Sequence, residues 1–342
     1  MRGIVAFALC SLLGISAPAL AQQPKPLFAS SDPIHITIQG PLSGLIRSRS
    51  SGPVQGTLTD PGGQALPVAL SARGITRRSA DVCEFPPIRV RFTSPPPATS
   101  LFAGQKSLKL VTHCRNNPSF QQYVLLEYSA YKMLNVLTPH SFRVRLANID
   151  YVDSNGRAMM SRAGYFLEAL GDVAKRNGTK ETHAPERIPA TSLSSPDAAR
   201  YALFQHMIAN HDWSMRAGPA GKDCCHNAEL IGPLASGSAI PIPYDFDFSG
   251  YVNAPYATVP DQLQITSVRQ RVYRGYCINN ADVLTVARQM REAKGQMLAA
   301  ISQTPGLAPA TQSRAISFLD GFFADIASDD AVNSRLLKHC VR

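Results

Sequence analysis

Beyond residue 21 the chain has no apolar run long enough to cross a bilayer, no internal repeat and no sustained heptad. Those absences leave no basis in the sequence for a membrane-spanning helix, a solenoid or a coiled coil. Basic residues cluster only weakly, in "RGITRR" at 73–78, and no nucleic-acid motif accompanies them. Nucleic acid is therefore not an expected partner. Zinc-type spacing is missing as well: Cys224, Cys225 and His226 are consecutive, whereas zinc ligands need a gap of about two residues to converge on one ion.

What is there begins with a leader. "MRGIVAFALCSLLGISAPALA" joins one basic residue to an apolar stretch and ends in two small residues around Leu20, the pattern of a secretory signal over 1–21. An exported chain, periplasmic or secreted and without a transmembrane segment, is expected. Six cysteines follow the leader: Cys83, Cys114, Cys224, Cys225, Cys277 and Cys340. In an oxidising compartment they read as disulfides, with the adjacent Cys224 and Cys225 expected to pair with two different distant partners. Net charge is +10, one unit of it from Arg2, which suits an anionic substrate, an acidic partner or an anionic surface.

Residues 22–34 read as a flexible leader. From 35 onward, short β-type runs are broken by glycine and proline: "HITIQG", "GTLTDPGGQ", "LPVALSARG", "IRVRF" and "SLKLVT". "DPGG" is a turn signal between strands. Ser119 and Gln122 predict a capping-box helix start, and Phe120, Val124, Tyr131 and Leu134 keep helical spacing. Two strands follow, "FRVRLANIDYVD" and "RAMMSRAGYFLEAL", joined at "SNG". "SSPDAARYALFQHMIAN" is a helix with Ser195 as cap and Pro196 in its first turn. The tail from about Asp261 reads as three or four helices. The expectation is an α+β fold in two lobes: a β-rich N-lobe at 35–170 with one helix, and a mostly helical C-lobe at 171–342. A cleft between lobes is where a ligand would bind.

Four groups of residues could carry chemistry. Glu127 lies on the apolar stripe of its helix, where a carboxylate needs a partner. Lys109, between Leu108 and Leu110, is the simplest one, with Lys106 second. Asp212 follows a helix in "ANHDWS", and Asn227 opens the next strand as a neutral oxygen ligand suited to Mg²⁺. In "AIPIPYDFDFSG" (239–250) strand alternation would put Ile240, Ile242, Tyr244, Phe246 and Phe248 on one face. Asp245 and Asp247 would project together from the other. Paired carboxylates repel unless a cation, a proton or a basic side chain neutralises them.

The order of these elements resembles that of protein-kinase-like phosphotransferases, and in flavour the atypical kinases of the spore-coat CotH type, with HipA-like and phosphatidylinositol kinases more distant. "VALSARGITRR" resembles the hairpin that replaces the glycine-rich loop in that family, and "LFAGQKSLKL" its lysine strand. "AGYFLEALGDVAKR" resembles the segment entering the hinge, and "NHDW…HN…PYDFDFSG" the catalytic and metal elements in 210–250. The resemblance implies a bilobal kinase-like fold binding ATP or another nucleoside triphosphate with Mg or Mn, and transfer of a phosphoryl group to an unknown hydroxyl acceptor, possibly on a protein. Asp212 would be the catalytic base, with Asn227, Asp245 and Asp247 at the metal. Lys109 would bind phosphates and Glu127 would orient it. Arg73, Thr76 and Arg77 would cover the phosphates, and Glu168 would lie near the nucleotide base.

Two other classes fit parts of the pattern. "YDFDFS" approaches the DxD strand end of HAD-type phosphatases, where the first Asp is a nucleophile. A non-catalytic secreted binding module would use Asp245 and Asp247 to hold a structural cation such as Ca²⁺.

Overall fold

Period-two alternation of apolar and polar residues runs through the N-terminal half, and the computed structural model, which describes residues 25–342, makes strands of it. They are β1 (Ile34–Gly40), β2 (Val54–Thr59), β3 (Ala65–Ala72), β4 (Ile88–Phe92), β5 (Ser107–Val111), β6 (Val144–Asp153) and β7 (Ala158–Leu167). The sheet closes into a barrel in the order β1-β2-β3-β4-β5-β7-β6. Every pair is antiparallel except β1 with β6, which run parallel with Ile34 opposite Ala147. Ile36, Ile38, Val68, Leu70, Val90, Leu108, Leu110, Ile149 and Phe166 fill the interior. Gly164 lets β7 approach β5, since a Cβ there would meet the Val111 carbonyl at 2.7 Å.

Two helices accompany the barrel rather than one. The unforeseen α1 (Leu42–Ser48) buries Leu42 and Leu45. The second, α2 (Phe120–Leu137), covers the outer face of β7, where Tyr165 meets Tyr128 and Tyr131. The capping box expected at its start does not form. Ser119 hydrogen-bonds to Asn117, while the Gln122 amide reaches Gly306 and Ala308. The leader expected over 22–34 is anchored from Lys25 onward: Leu27 and Phe28 are buried in the barrel core, each burial contributing about 2 kcal/mol. The signal expected at 1–21 lies outside the described residues.

The C-terminal half is mainly helical: α3 (Leu170–Arg176), α4 (Ser195–Met207), α5 (Asn280–Glu292), α6 (Lys294–Ser302), α7 (Pro309–Asp325) and α8 (Asp329–Arg335). Ser194 rather than Ser195 precedes α4, and the Ser195 hydroxyl donates to Asp282. A two-stranded antiparallel hairpin, β8 (Ala228–Ile231) with β9 (Ile240–Pro243), lies between α4 and α5. The fold class is thus α+β, with a β-rich N-terminal part and a helical C-terminal part. No helix among the described residues is long and apolar enough to cross a membrane.

Three disulfides join Cys83 to Cys114, Cys224 to Cys225 and Cys277 to Cys340. The expectation that Cys224 and Cys225 take separate distant partners is wrong. The four remaining cysteines lie in two pairs close in space, which leaves the neighbours to each other. With both sulfurs of that pair oxidised, Cys224, Cys225 and His226 do not form a zinc site.

Candidate functional site

The hairpin decides which residues meet. Ala228 opposes Pro243 in its register, so the residues outside it, Asn227 and Tyr244, are held together by Tyr244 N–H donating to the Asn227 carbonyl at 3.2 Å. Asn227 enters β8 and Asp245 leaves β9, so two segments distant in sequence end side by side.

The strand read over 239–250 stops at Pro243. Asp245 adopts φ +63°, a left-handed conformation that Asp tolerates better than most residues. Its N–H donates to the Tyr131 hydroxyl at 2.9 Å. Phe246 is fully buried, 4.5 Å from the Tyr131 ring and 5.5 Å from Phe204. This anchored phenylalanine places Asp245 and Asp247 on a common side, the outcome alternation suggested, through a loop instead of a strand.

Glu127 joins them. Carboxylate oxygens of Glu127, Asp245 and Asp247 lie within 4.8 Å of one another. Phe246 N–H donates to Glu127 Oε1 at 3.3 Å, and the Tyr256 hydroxyl donates to Asp247 Oδ2 at 3.0 Å. The expected Lys109–Glu127 pair is therefore absent. Lys109 Nζ stands 3.8 Å from Glu229 Oε1 and 4.8 Å from the Tyr244 ring centroid. Lys106 is exposed.

Electrostatics mark this cluster as under-neutralised. Burial, then Asp247 and Asp245, push the Glu127 carboxyl up to about 8 against the pull of Arg77. Burial and Asp245 push Asp247 up to about 7, again opposed by Arg77. Among the described residues Arg77 is the one cation in direct contact, with Nη1 3.8 Å from Asp247 Oδ2 and Nη2 donating to the Thr112 carbonyl. Burial alone would lower its pKa, but Tyr256, Asp247, Glu127 and Asp245 together raise it. Three carboxylates facing one guanidinium leave negative charge uncompensated. That donor set, all hard oxygen, fits Mg²⁺, Mn²⁺ or Ca²⁺ and does not suit softer metals.

A second group flanks the first. Ser214 and His226 bridge as an antiparallel pair, which carries the His226 ring to Asp212: Nε2 and Oδ1 are 2.6 Å apart. The hydrogen bond to Asp212 raises the His226 pKa, burial opposes it, and the charges of Asp212 and Asp245 add to the rise. The Asn227 amide donates to the Asp212 carbonyl at 2.7 Å and to Oδ2 at 3.0 Å. Asp212 is thus held by two neighbours and remains half-exposed.

The remaining expected residues divide. Arg73 lies close enough to Lys109 to depress its pKa, after burial and against Glu229 and Asp245. Arg73, Lys109 and Asp245 therefore share one electrostatic neighbourhood. Thr76 is exposed beside Ile75, at the tip of the loop after β3. Arg77 is not a cover, since it is buried in the floor with Asp247. Glu168 is not available to a nucleotide base. It is buried, its carboxylate accepts Arg143 N–H at 2.9 Å, and Arg176 pairs with it at 3.1 Å. Sequence reasoning missed His226, Glu229, Tyr131 and Tyr256 as parts of this site. Glu229 was open to detection through strand alternation from Asn227, whereas the tyrosines carry no local signal.

No family model matches the chain, and no curated protein matches it. Among solved structures it is similar to the Helicobacter pylori proinflammatory kinase CtkA, at 9% identity and a TM-score of 0.41, over 73% of this chain and 92% of that one.

Proposed function

We propose that the protein is an exported kinase-like phosphotransferase that uses a Mg or Mn nucleoside triphosphate, ATP or another, to phosphorylate a hydroxyl acceptor. The observation that carries this reading is the convergence of three carboxylates, the buried Glu127 and Asp247 and the half-buried Asp245, with Asp212 and Asn227 at the mouth of one hairpin. Asp245 and Asp247, with Glu127 and Asn227 beside them, would hold the divalent cation, whose chemistry there is to neutralise charge on the phosphates. Lys109 and Arg73 supply positive charge next to Asp245 for phosphate oxygens. Asp212, hydrogen-bonded to His226 and Asn227, would accept the acceptor's hydroxyl proton. Arg77 offsets part of the cluster's charge from beneath.

The hairpin topology speaks against the phosphatase reading. β9 belongs to an isolated antiparallel hairpin, whereas the HAD-type nucleophile sits at the end of a parallel strand. Export accords with three disulfides, which persist in oxidising compartments.

Thermal melting with metal and nucleotide tests the proposal. Mg²⁺ or Mn²⁺ plus ATP should raise the melting temperature of wild type well beyond either alone, and Asp245→Asn should abolish the difference. Stabilisation by Ca²⁺ with no nucleotide effect would instead assign the carboxylates to a structural cation in a binding module. No response of wild type to any nucleoside triphosphate would overturn the phosphotransferase reading.

A further inference from the structure

Across α2 from the acid cluster lies a cavity of about 1050 Å³, between the start of that helix, the segment after Asp247 and α7. Leu126 faces it while its neighbour Glu127 lies in the cluster. Three arginines line it, Arg269, Arg271 and Arg314, together with hydroxyls of Ser119, Thr311, Ser313 and Ser317, and among the described residues the lining holds no carboxylate.

Two of those guanidiniums crowd one aromatic ring. Arg269 lies 4.5 Å and Arg271 4.1 Å from the Phe318 centroid. Backbone carbonyls hold both in place: Arg269 donates to Gly250 at 3.2 Å, and Arg271 to Met207 at 3.2 Å and Phe318 at 2.6 Å. These contacts fix the planes yet leave further N–H donors on each fork. Burial lowers the Arg271 pKa to about 10, with Asp325 opposing and Arg269 adding to the fall. Two like charges held against one ring, only partly offset by Asp325 beside Arg271, are stabilised further by an anion, and planar forks favour tetrahedral oxyanions that accept two bonds at once.

We infer that this three-arginine groove is a binding site for phosphate-class oxyanions, separate from the acid cluster. It accounts for two guanidiniums held in place and a third, exposed one beside them with hydroxyl donors around it, and it does not depend on phosphotransfer activity. The segment lining it at 251–253 follows Asp247 by a few residues, so an occupant would brace the loop that carries the acid cluster.

The test is a melting titration of the full chain with orthophosphate, tripolyphosphate, and a phosphoserine peptide beside its unphosphorylated twin. No divalent metal is present, and sodium chloride matches the ionic strength. At least one phosphate probe should raise the melting temperature by about 2 °C or more, in wild type and Asp245→Asn alike. Response to the inorganic probes assigns the source to free phosphate compounds; response only to the phosphopeptide assigns it to a phosphoryl group on a protein. The exposed Arg314→Glu should weaken the response at least tenfold in probe concentration, and Arg269→Ala should do the same. No response to any probe, a response equal to chloride, one unchanged in both arginine variants, or one lost in Asp245→Asn would each overturn the inference.

Discussion

At the scale of single residues, the acid cluster makes the protein's stability depend on pH in an unusual direction. Glu127 and Asp247 are raised by burial and mutual repulsion, to about 8 and about 7. A carboxyl whose folded pKa exceeds its unfolded value contributes stability that is fully present below the unfolded value. That contribution is lost as pH rises through the folded one. With divalent ions chelated, the melting temperature should therefore fall between pH 6 and 8.5. Glu127→Gln should flatten that fall, raising the melting temperature at the upper end by on the order of 2–4 °C. Adding Mg²⁺ or Mn²⁺ to wild type should flatten it as well. Melting curves at four pH values decide the matter, and a wild-type profile that rises over this range would contradict the stated charge balance. His226 has the opposite role. Its pair with Asp212 is half-exposed, worth less than about 1 kcal/mol, so His226→Gln should leave melting nearly unchanged. If Asp212 is the base, the same change should lower kcat more than it raises KM, because it removes orientation rather than binding.

At the scale of elements, the loop after β9 depends on Phe246, buried between Tyr131 of α2 and Phe204 of α4. Phe246→Ala should cost about 3–5 kcal/mol and also weaken stabilisation by divalent cations, because Asp245 and Asp247 lose their common anchor. Phe246→Leu should recover most of both, and a metal effect unchanged in Phe246→Ala would show that the carboxylates need no such support. This segment also shows where the sequence was legible and where it was not. Strands from β1 to β7 announce themselves by alternation and by turns such as Asp60–Gly63, since period-two patterning reports a sheet with one face buried. Asp245–Phe248 carries the same alternation for another reason: a left-handed residue and one buried ring mimic a strand locally. The grouping of Asp212, Asn227, Asp245 and Asp247 was readable, because each lies within a few residues of the end of an element. The partner of Glu127 was not, because the choice between Lys109 and the two aspartates depends on how α2 sits on β7. α1 escaped notice in "PLSGLIRS", too short and glycine-interrupted to show a helical period.

At the scale of the molecule, disulfides set much of the resistance to unfolding. Cys277–Cys340 spans 63 residues and Cys83–Cys114 spans 31, so removing each should cost about 4 kcal/mol, the shorter loop slightly less. Cys224–Cys225 closes almost no loop and should contribute little by that route. Melting of Cys277→Ala/Cys340→Ala beside Cys224→Ala/Cys225→Ala measures the difference, and equal losses would refute the loop-closure account. Losing Cys83–Cys114 should also loosen Arg77, whose segment that bridge ties to the end of β5, and so weaken the response to metal. The barrel has a consequence in time as well as in space. β1 pairs along its whole length with β6, and that neighbour is synthesised only after β2 to β5 and α2. Until β6 has emerged β1 presents an open edge, and until β7 has emerged so does β5, each ready to pair with another chain. Closure must then overcome the entropy of a very long loop. Barrel formation is therefore a late event, and a fragment ending before Val144 should aggregate rather than fold.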